Sequence, residues 1–258
     1  MKLGFPNHPR KDIIKELRWI AETGFDFAEI FIEPDNDKIF TPGLIREINK
    51  LLEAEGLGRL GHTACYIPLG SPFKELRDTS VEIIKKQLDI FSRLGCQKVT
   101  VHANWPPGLF SDEEGIDFQT ESLQRIIPIA REYNIRLLFE SLNSERDVME
   151  NIRKILDLNP ELEFLADLGH LNVCGRDPLS YLEHFRDKIG HIHLHDNDGT
   201  RDLHLPVEAG IISWPELVEK LKEFYDGTVT LEIFSREKEY VLFSREKILK
   251  EWHKKKKE

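Results

Sequence analysis

Eight apolar, strand-like runs alternate with eight amphipathic, helix-like runs along this chain. The strand-like runs cover residues 2–5, 26–32, 58–66, 98–103, 135–141, 162–168, 190–196 and 228–234. The helix-like runs cover 12–23, 43–54, 73–94, 118–133, 145–156, 179–185, 214–224 and 236–252. In the third of these, Val81, Ile84, Leu88, Phe91 and Leu94 keep helical spacing along one face. Gly24, Gly56 and Gly95 each follow a helix and precede a strand, as glycine caps do. Strict alternation has a topological meaning, because parallel neighbours need a crossover and a helix supplies it. Eight such units predict an α/β protein closed into a single (β/α)8 barrel, an architecture of about 250 residues, and the chain has 258. An open doubly wound sheet would carry a glycine-rich loop after its first strand. That position reads Gly4-Phe5-Pro6-Asn7-His8-Pro9 instead. No linker or repeat divides the sequence, so one domain over 1–258 is expected.

Six successive strands end in a histidine or a carboxylate: His62, His102, Glu140, Asp167, His193 and Glu232. In a closed barrel these residues meet at the C-terminal mouth, where such barrels do their chemistry. Singly, each has a plainer role. A strand-end histidine is commonly a hydrogen-bonded rim residue, a glutamate can pair with a lysine, and Asp167 can cap the segment that follows it. Together they predict a divalent metal site, since several buried carboxylates without a cation are costly. His170 and the Asp202-Leu-His204 pair extend the set to nine. His191 and His195 flank His193 at a spacing of two and are expected to support it. Trp105, Asn143, His195 and Glu33 are candidate substrate contacts, with Trp105 equally suited to anchoring its loop. Cys65 lies beside the mouth without a base nearby in sequence, so no nucleophile is assigned.

The net charge of −10 disfavours long-range attraction to nucleic acid, and the lysine-rich end, Lys254 to Lys257, makes the remainder more acidic still. That end reads as a solvated helix terminus. Three cysteines, Cys65, Cys96 and Cys174, give no disulfide framework, which fits a reducing, cytoplasmic setting. No apolar leader or membrane-length run is present in the sequence. An oligomer is left open.

The stretch from His193 to Trp214, His-Leu-His-Asp-Asn-Asp-Gly-Thr-Arg-Asp-Leu-His-Leu-Pro followed by Gly210-Ile-Ile-Ser-Trp214, resembles a signature of the xylose isomerase-like TIM barrels. That superfamily joins sugar isomerases and epimerases to endonuclease IV-type nucleases of abasic DNA. The resemblance implies a four-residue metal centre of Glu140, Asp167, His193 and Glu232, as in the epimerases. It equally matches a three-zinc pattern, as in the nucleases. There His62, His102 and Glu140 surround the first ion. Glu140 bridges to Asp167, His193 and Glu232 around the second, and His170, Asp202 and His204 surround the third. The implied cofactor is one to three divalent ions, zinc or manganese. Two departures point away from the nucleases. Tyr66 stands four residues after His62, where the nucleases place a tyrosine at three. The loop after the second strand reads Glu33-Pro-Asp35-Asn-Asp37-Lys38, which repels phosphates. The expected activity is isomerisation or epimerisation of a sugar or sugar phosphate, with Glu140 and Glu232 moving protons. Cleavage of abasic DNA by a multi-zinc centre is the alternative.

Overall fold

In the computed structural model, which describes residues 1–33, 37–173 and 175–254, eight parallel strands form one closed barrel. The strands are β1 (Lys2–Pro6), β2 (Phe27–Ile32), β3 (Gly58–Thr63), β4 (Lys98–His102), β5 (Arg136–Glu140), β6 (Glu163–Asp167), β7 (Ile189–Leu194) and β8 (Thr228–Leu231). Each pairs with its sequence neighbour, and β8 returns to β1 through Leu3↔Val229. The helices are α1 (Ile13–Glu22), α2 (Pro42–Ala54), α3 (Lys74–Arg93), α4 (Asp112–Glu132), α5 (Met149–Leu158), α6 (Leu168–Val173), α7 (Pro178–His184), α8 (Trp214–Leu221) and α9 (Lys238–His253). Their apolar faces pack on the outer wall of the barrel. On α3, Val81, Ile84, Leu88 and Phe91 are buried at the predicted spacing. Gly24, Gly56 and Gly95 adopt φ of 75°, 63° and 76°, a conformation that favours glycine and ends each helix before its strand. Among the described residues, no helix is long and apolar enough to cross a membrane.

Register places the mouth residues side by side. His102 is opposite Glu140, and Asp167 is opposite His193. Registered neighbours in parallel strands project to the same side, so these pairs enter the interior at one level. Phe31 and His62 are likewise opposite each other, and their rings stack at 3.9 Å.

The structure corrects several expected boundaries. The sixth strand stops at Asp167, and the chain turns directly into α6, which carries His170. The third strand stops at Thr63. The fourth helix begins at Asp112, before the expected 118, because Ser111 and Glu114 form a capping box, with bonds of 3.2 and 2.8 Å. The fifth begins at Met149, after a turn in which the Asp147 carboxylate accepts the Ser144 N–H at 3.2 Å. Asp35, Cys174 and Lys255 to Lys257 lie outside the described residues.

Candidate metal centre

Glu140 is the hub. Its Oε2 lies 3.0 Å from His102 Nε2 and 3.4 Å from His62 Nε2. Its Oε1 lies 3.5 Å from Nδ1 of both His170 and His193. One carboxylate therefore faces two donor groups, His62–His102–Glu140 and Glu140–Asp167–His193–Glu232. In the second group, His193 Nδ1 lies 2.9 Å from Glu232 Oε2 and 3.6 Å from Asp167 Oδ2. Glu140, Asp167 and His193 are no more than 1% exposed.

Asp167 divides its labour between its two oxygens. Oδ1 accepts the His170 backbone N–H at 2.8 Å, holding the start of α6, and lies 2.9 Å from His195 Nε2. Oδ2 points into the second group. The capping role and the donor role thus coexist in one side chain. Close approach of α6 also requires Gly169, where a Cβ would lie 2.0 Å from the His195 ring.

A third group gathers His170, His195, Asp202 and His204. Asp202 Oδ2 lies 3.2 Å from His170 Nε2, and its Oδ1 lies 3.3 Å from His204 Nε2. The loop bearing Asp202 and His204 is drawn back by the bridge between Asp196 and Leu205, with hydrogen bonds of 2.9 and 2.8 Å. The buried Asp196 carboxylate accepts Trp214 Nε1–H at 2.8 Å and the N–H groups of Asn197 and Ile212. Thus Asp196 and Trp214, conspicuous in the signature stretch, build the loop, while the histidines between and beside them supply donors. His204 sits between the rings of His195 and Phe234, at 3.9 and 4.2 Å. Its Nδ1 meets the Glu232 carbonyl at 2.8 Å, so Nδ1–H donates there and Nε2 is the nitrogen turned toward Asp202.

The fit to a cation is chemical as well as geometric. Glu140 Oε2, Asp167 Oδ2, His193 Nδ1 and Glu232 Oε2 are buried without a hydrogen-bond partner. Buried polar atoms are rarely left so; Asp167 Oδ2 and Glu232 Oε2 face His193 Nδ1, while Glu140 Oε2 faces His62 and His102. Imidazoles with carboxylates and no thiolate suit zinc or manganese.

Protonation balances the charge when metal is absent. Burial works against the charged form of Glu140, but His193 and His102 outweigh it and hold the carboxyl well below its usual range. Burial is likewise outweighed at Asp167, by His170 and His195. Burial also opposes the cationic form of His193, yet Glu29, Glu140 and Glu232 raise its pKa well above the ordinary value. His204 is raised to about 9, because Glu232 and Asp202 overcome its desolvation. Desolvation, with Glu140, Glu33 and Glu232 close by, pushes the Cys65 thiol up to about 11. It therefore stays a neutral thiol at pH 7.

All nine expected donors converge, and His195 joins the third group. The other expected substrate contacts stand apart from these groups. Trp105 donates its indole N–H to Asp147 at 2.7 Å, and its ring packs close to Gly115, so it anchors the loop after β4. Glu33 accepts the Tyr66 hydroxyl at the rim. Asn143 is exposed after β5. One buried acid beside these donors, Glu29, lies away from any strand end. Glu29 lies fully buried in the middle of β2, 3.1 Å from His193 Nε2. The signal was a lone charge in Phe27-Ala-Glu29-Ile-Phe31-Ile, an otherwise apolar run.

Residues 17–254 match the model of the family described as "Xylose isomerase-like TIM barrel". The chain belongs to that family. A solved structure described as a D-tagatose 3-epimerase-like protein is similar to it at 28% identity and a TM-score of 0.85, covering 98% of this chain and 97% of that one. An uncharacterized protein of Methanocaldococcus jannaschii is 28% identical over 92% of this chain and 88% of its own length. The fructoselysine 3-epimerase of Escherichia coli O157:H7 is 24% identical, over 88% and 87% respectively.

Proposed function

We propose that this protein is a divalent-metal-dependent isomerase or epimerase of a ketose sugar. The observation that carries the reading is the pair of carboxylates flanking one point. Glu232 Oε2 and Glu140 Oε1 lie 2.9 and 3.5 Å from the same nitrogen, His193 Nδ1. The sugar epimerases among its relatives support the reaction class. A divalent ion held by Glu140, Asp167, His193 and Glu232 supplies electrostatic stabilisation of negative charge on a sugar oxygen.

The chain's own work is then proton movement. One of Glu140 and Glu232 removes the proton from the carbon beside the carbonyl, and the other returns a proton from the opposite side. Return to the same carbon inverts it, and return to the former carbonyl carbon, with a proton passed from the neighbouring hydroxyl oxygen to the carbonyl oxygen, isomerises the sugar. His193 and Asp167 orient the site, and the strands hold all four donors on a rigid frame. The acidic character of the chain, with a net charge of −10, favours a neutral sugar over a polyanion.

The test is incubation of the metal-loaded protein with a panel of ketoses in deuterated water. Deuterium appearing at one substrate carbon with inversion or isomerisation is the expected result. Turnover of no member of the panel, or turnover without solvent deuterium, contradicts the proton-transfer reading. The group of His170, His195, Asp202 and His204 favours a second reading, a multi-metal phosphodiesterase. A duplex with one abasic analogue, supplied with zinc or manganese, separates the two. Cleavage supports the second reading, and an intact duplex removes it.

A further inference from the structure

One buried carboxylate is not among the nine, although with His62 and His193 it forms a further cluster of possible donors. Glu29 projects inward from β2, two residues before Phe31, and is fully buried. Its ion-pair partners are imidazoles, His193 at 3.1 Å and His191 at 3.6 Å. Thr100 Oγ1 stands 3.5 Å from Oε1.

The two imidazoles relate to Glu29 differently. The nitrogens of His191 meet threonine hydroxyls, Nδ1 at 2.8 Å from Thr228 Oγ1 and Nε2 at 3.0 Å from Thr230 Oγ1. His193 Nε2 meets both oxygens of Glu29, at 3.2 and 3.1 Å. Its other nitrogen, Nδ1, has no hydrogen bond and faces Glu140, Asp167 and Glu232. An imidazole whose Nε2–H is held by a carboxylate keeps its lone pair on Nδ1, and the carboxylate makes that lone pair a better donor. A buried carboxylate also needs nearby positive charge, and a histidine bound to a cation delivers it.

We propose that Glu29 is the positioning residue of the metal centre. It fixes His193 with its proton on Nε2 and thereby aims Nδ1 at the ion. The inference rests on Glu140, Asp167, His193 and Glu232 being metal donors and is independent of the sugar reaction.

The experiment uses the full chain, stripped and then titrated with zinc alone. The variants are Glu29→Gln, which keeps an acceptor of the same shape, and Glu29→Met, which removes it. The readouts are zinc affinity and the Nε2–H proton resonance of His193 in the zinc-loaded protein, assigned by its absence in His193→Gln. The wild type should show this proton far downfield. In Glu29→Met zinc affinity should fall about 10–100-fold, and the resonance should be lost to exchange. Glu29→Gln should lose less affinity and shift the resonance upfield, because an amide oxygen is the weaker acceptor. A folded Glu29→Met that binds zinc like the wild type overturns the proposal. Should that variant not fold, an unmoved resonance in Glu29→Gln overturns it. A wild type inert toward every ketose would leave both readouts intact, so failure of the sugar reading is distinguishable from failure of this one.

Discussion

The strand-borne donors and the loop-borne donors of this barrel are built differently. Glu140 and Asp167 end their strands and His193 is the penultimate residue of its own; register fixes their neighbours, and their side chains are at most 1% exposed. Asp202 and His204 sit on a returning loop, with side chains 25% and 11% exposed. That loop is held by one bridge, the Asp196 carboxylate, an aromatic stack and hydrogen bonds from His204 to the Glu232 carbonyl and from Phe234 N–H to the His204 carbonyl. The backbone of His204 is also in the left-handed region, at φ 46°. The contrast teaches that the barrel itself organises the two inner groups, whereas the outer group depends on a loop that must first be folded back. The inner donors should bind metal first and carry the reaction, and the outer ones should be separable from it.

The largest effect should come from the hub. Glu140→Gln keeps the shape but removes the shared charge, so proton exchange should fall by about 10²–10⁴-fold. Metal content, read by elemental analysis, should drop in both inner groups. Survival of either would break the contrast. Next, Asp202→Asn should empty the outer group alone. Proton exchange should then change by less than about tenfold, equivalent to about 1.4 kcal/mol, while the inner metal remains. Loss of all bound metal in this variant would show that the two regions are not separable.

A third expectation concerns pH. His204 is raised from the ordinary 6.5 to about 9, so in the metal-free fold it stays protonated across that window. Stabilisation from this proton is fully present below about 6.5 and is lost as pH rises through about 9. A cation competes with the same proton, so affinity at the outer group should climb over the same range. Calorimetric titration at several pH values, with Asp202→Asn as the blank, checks the sign. The smallest effect belongs to the loop's support. Trp214→Phe leaves the buried Asp196 carboxylate one donor short and should cost about 1–3 kcal/mol. Thermal unfolding measures that, and metal should be lost from the outer group before the inner ones.

Donors of both regions are legible in the sequence, by different routes. Strand-end polar residues stood out because each interrupts an apolar run, and closure of the barrel carries such residues to one mouth. His170 was visible as a residue but not as part of a helix, because Asp167 ends a strand and starts α6 within a single position. The start of α4 was hidden because its first turn, Asp112-Glu113-Glu114-Gly115, is polar, and the capping box does the work that apolar periodicity does elsewhere. Glu29 lies mid-strand rather than at a strand end, and its partner His193 is 164 residues away in sequence. Trp105 could not be assigned without knowing that the buried Asp147 acceptor lies under its indole. Residues that interrupt an apolar run at its end are legible in the sequence, whereas pairings made across the fold, such as Glu29 with His193 or Trp105 with Asp147, are not.

The most direct test of the central claim is a crystal structure of the protein loaded with manganese or zinc, with the ion located by anomalous scattering. The expected result is an ion bound by Glu140, Asp167, His193 and Glu232 together, at about 2.0–2.2 Å for zinc. An ion bound elsewhere at full occupancy, with these four side chains still paired only to one another, would contradict it.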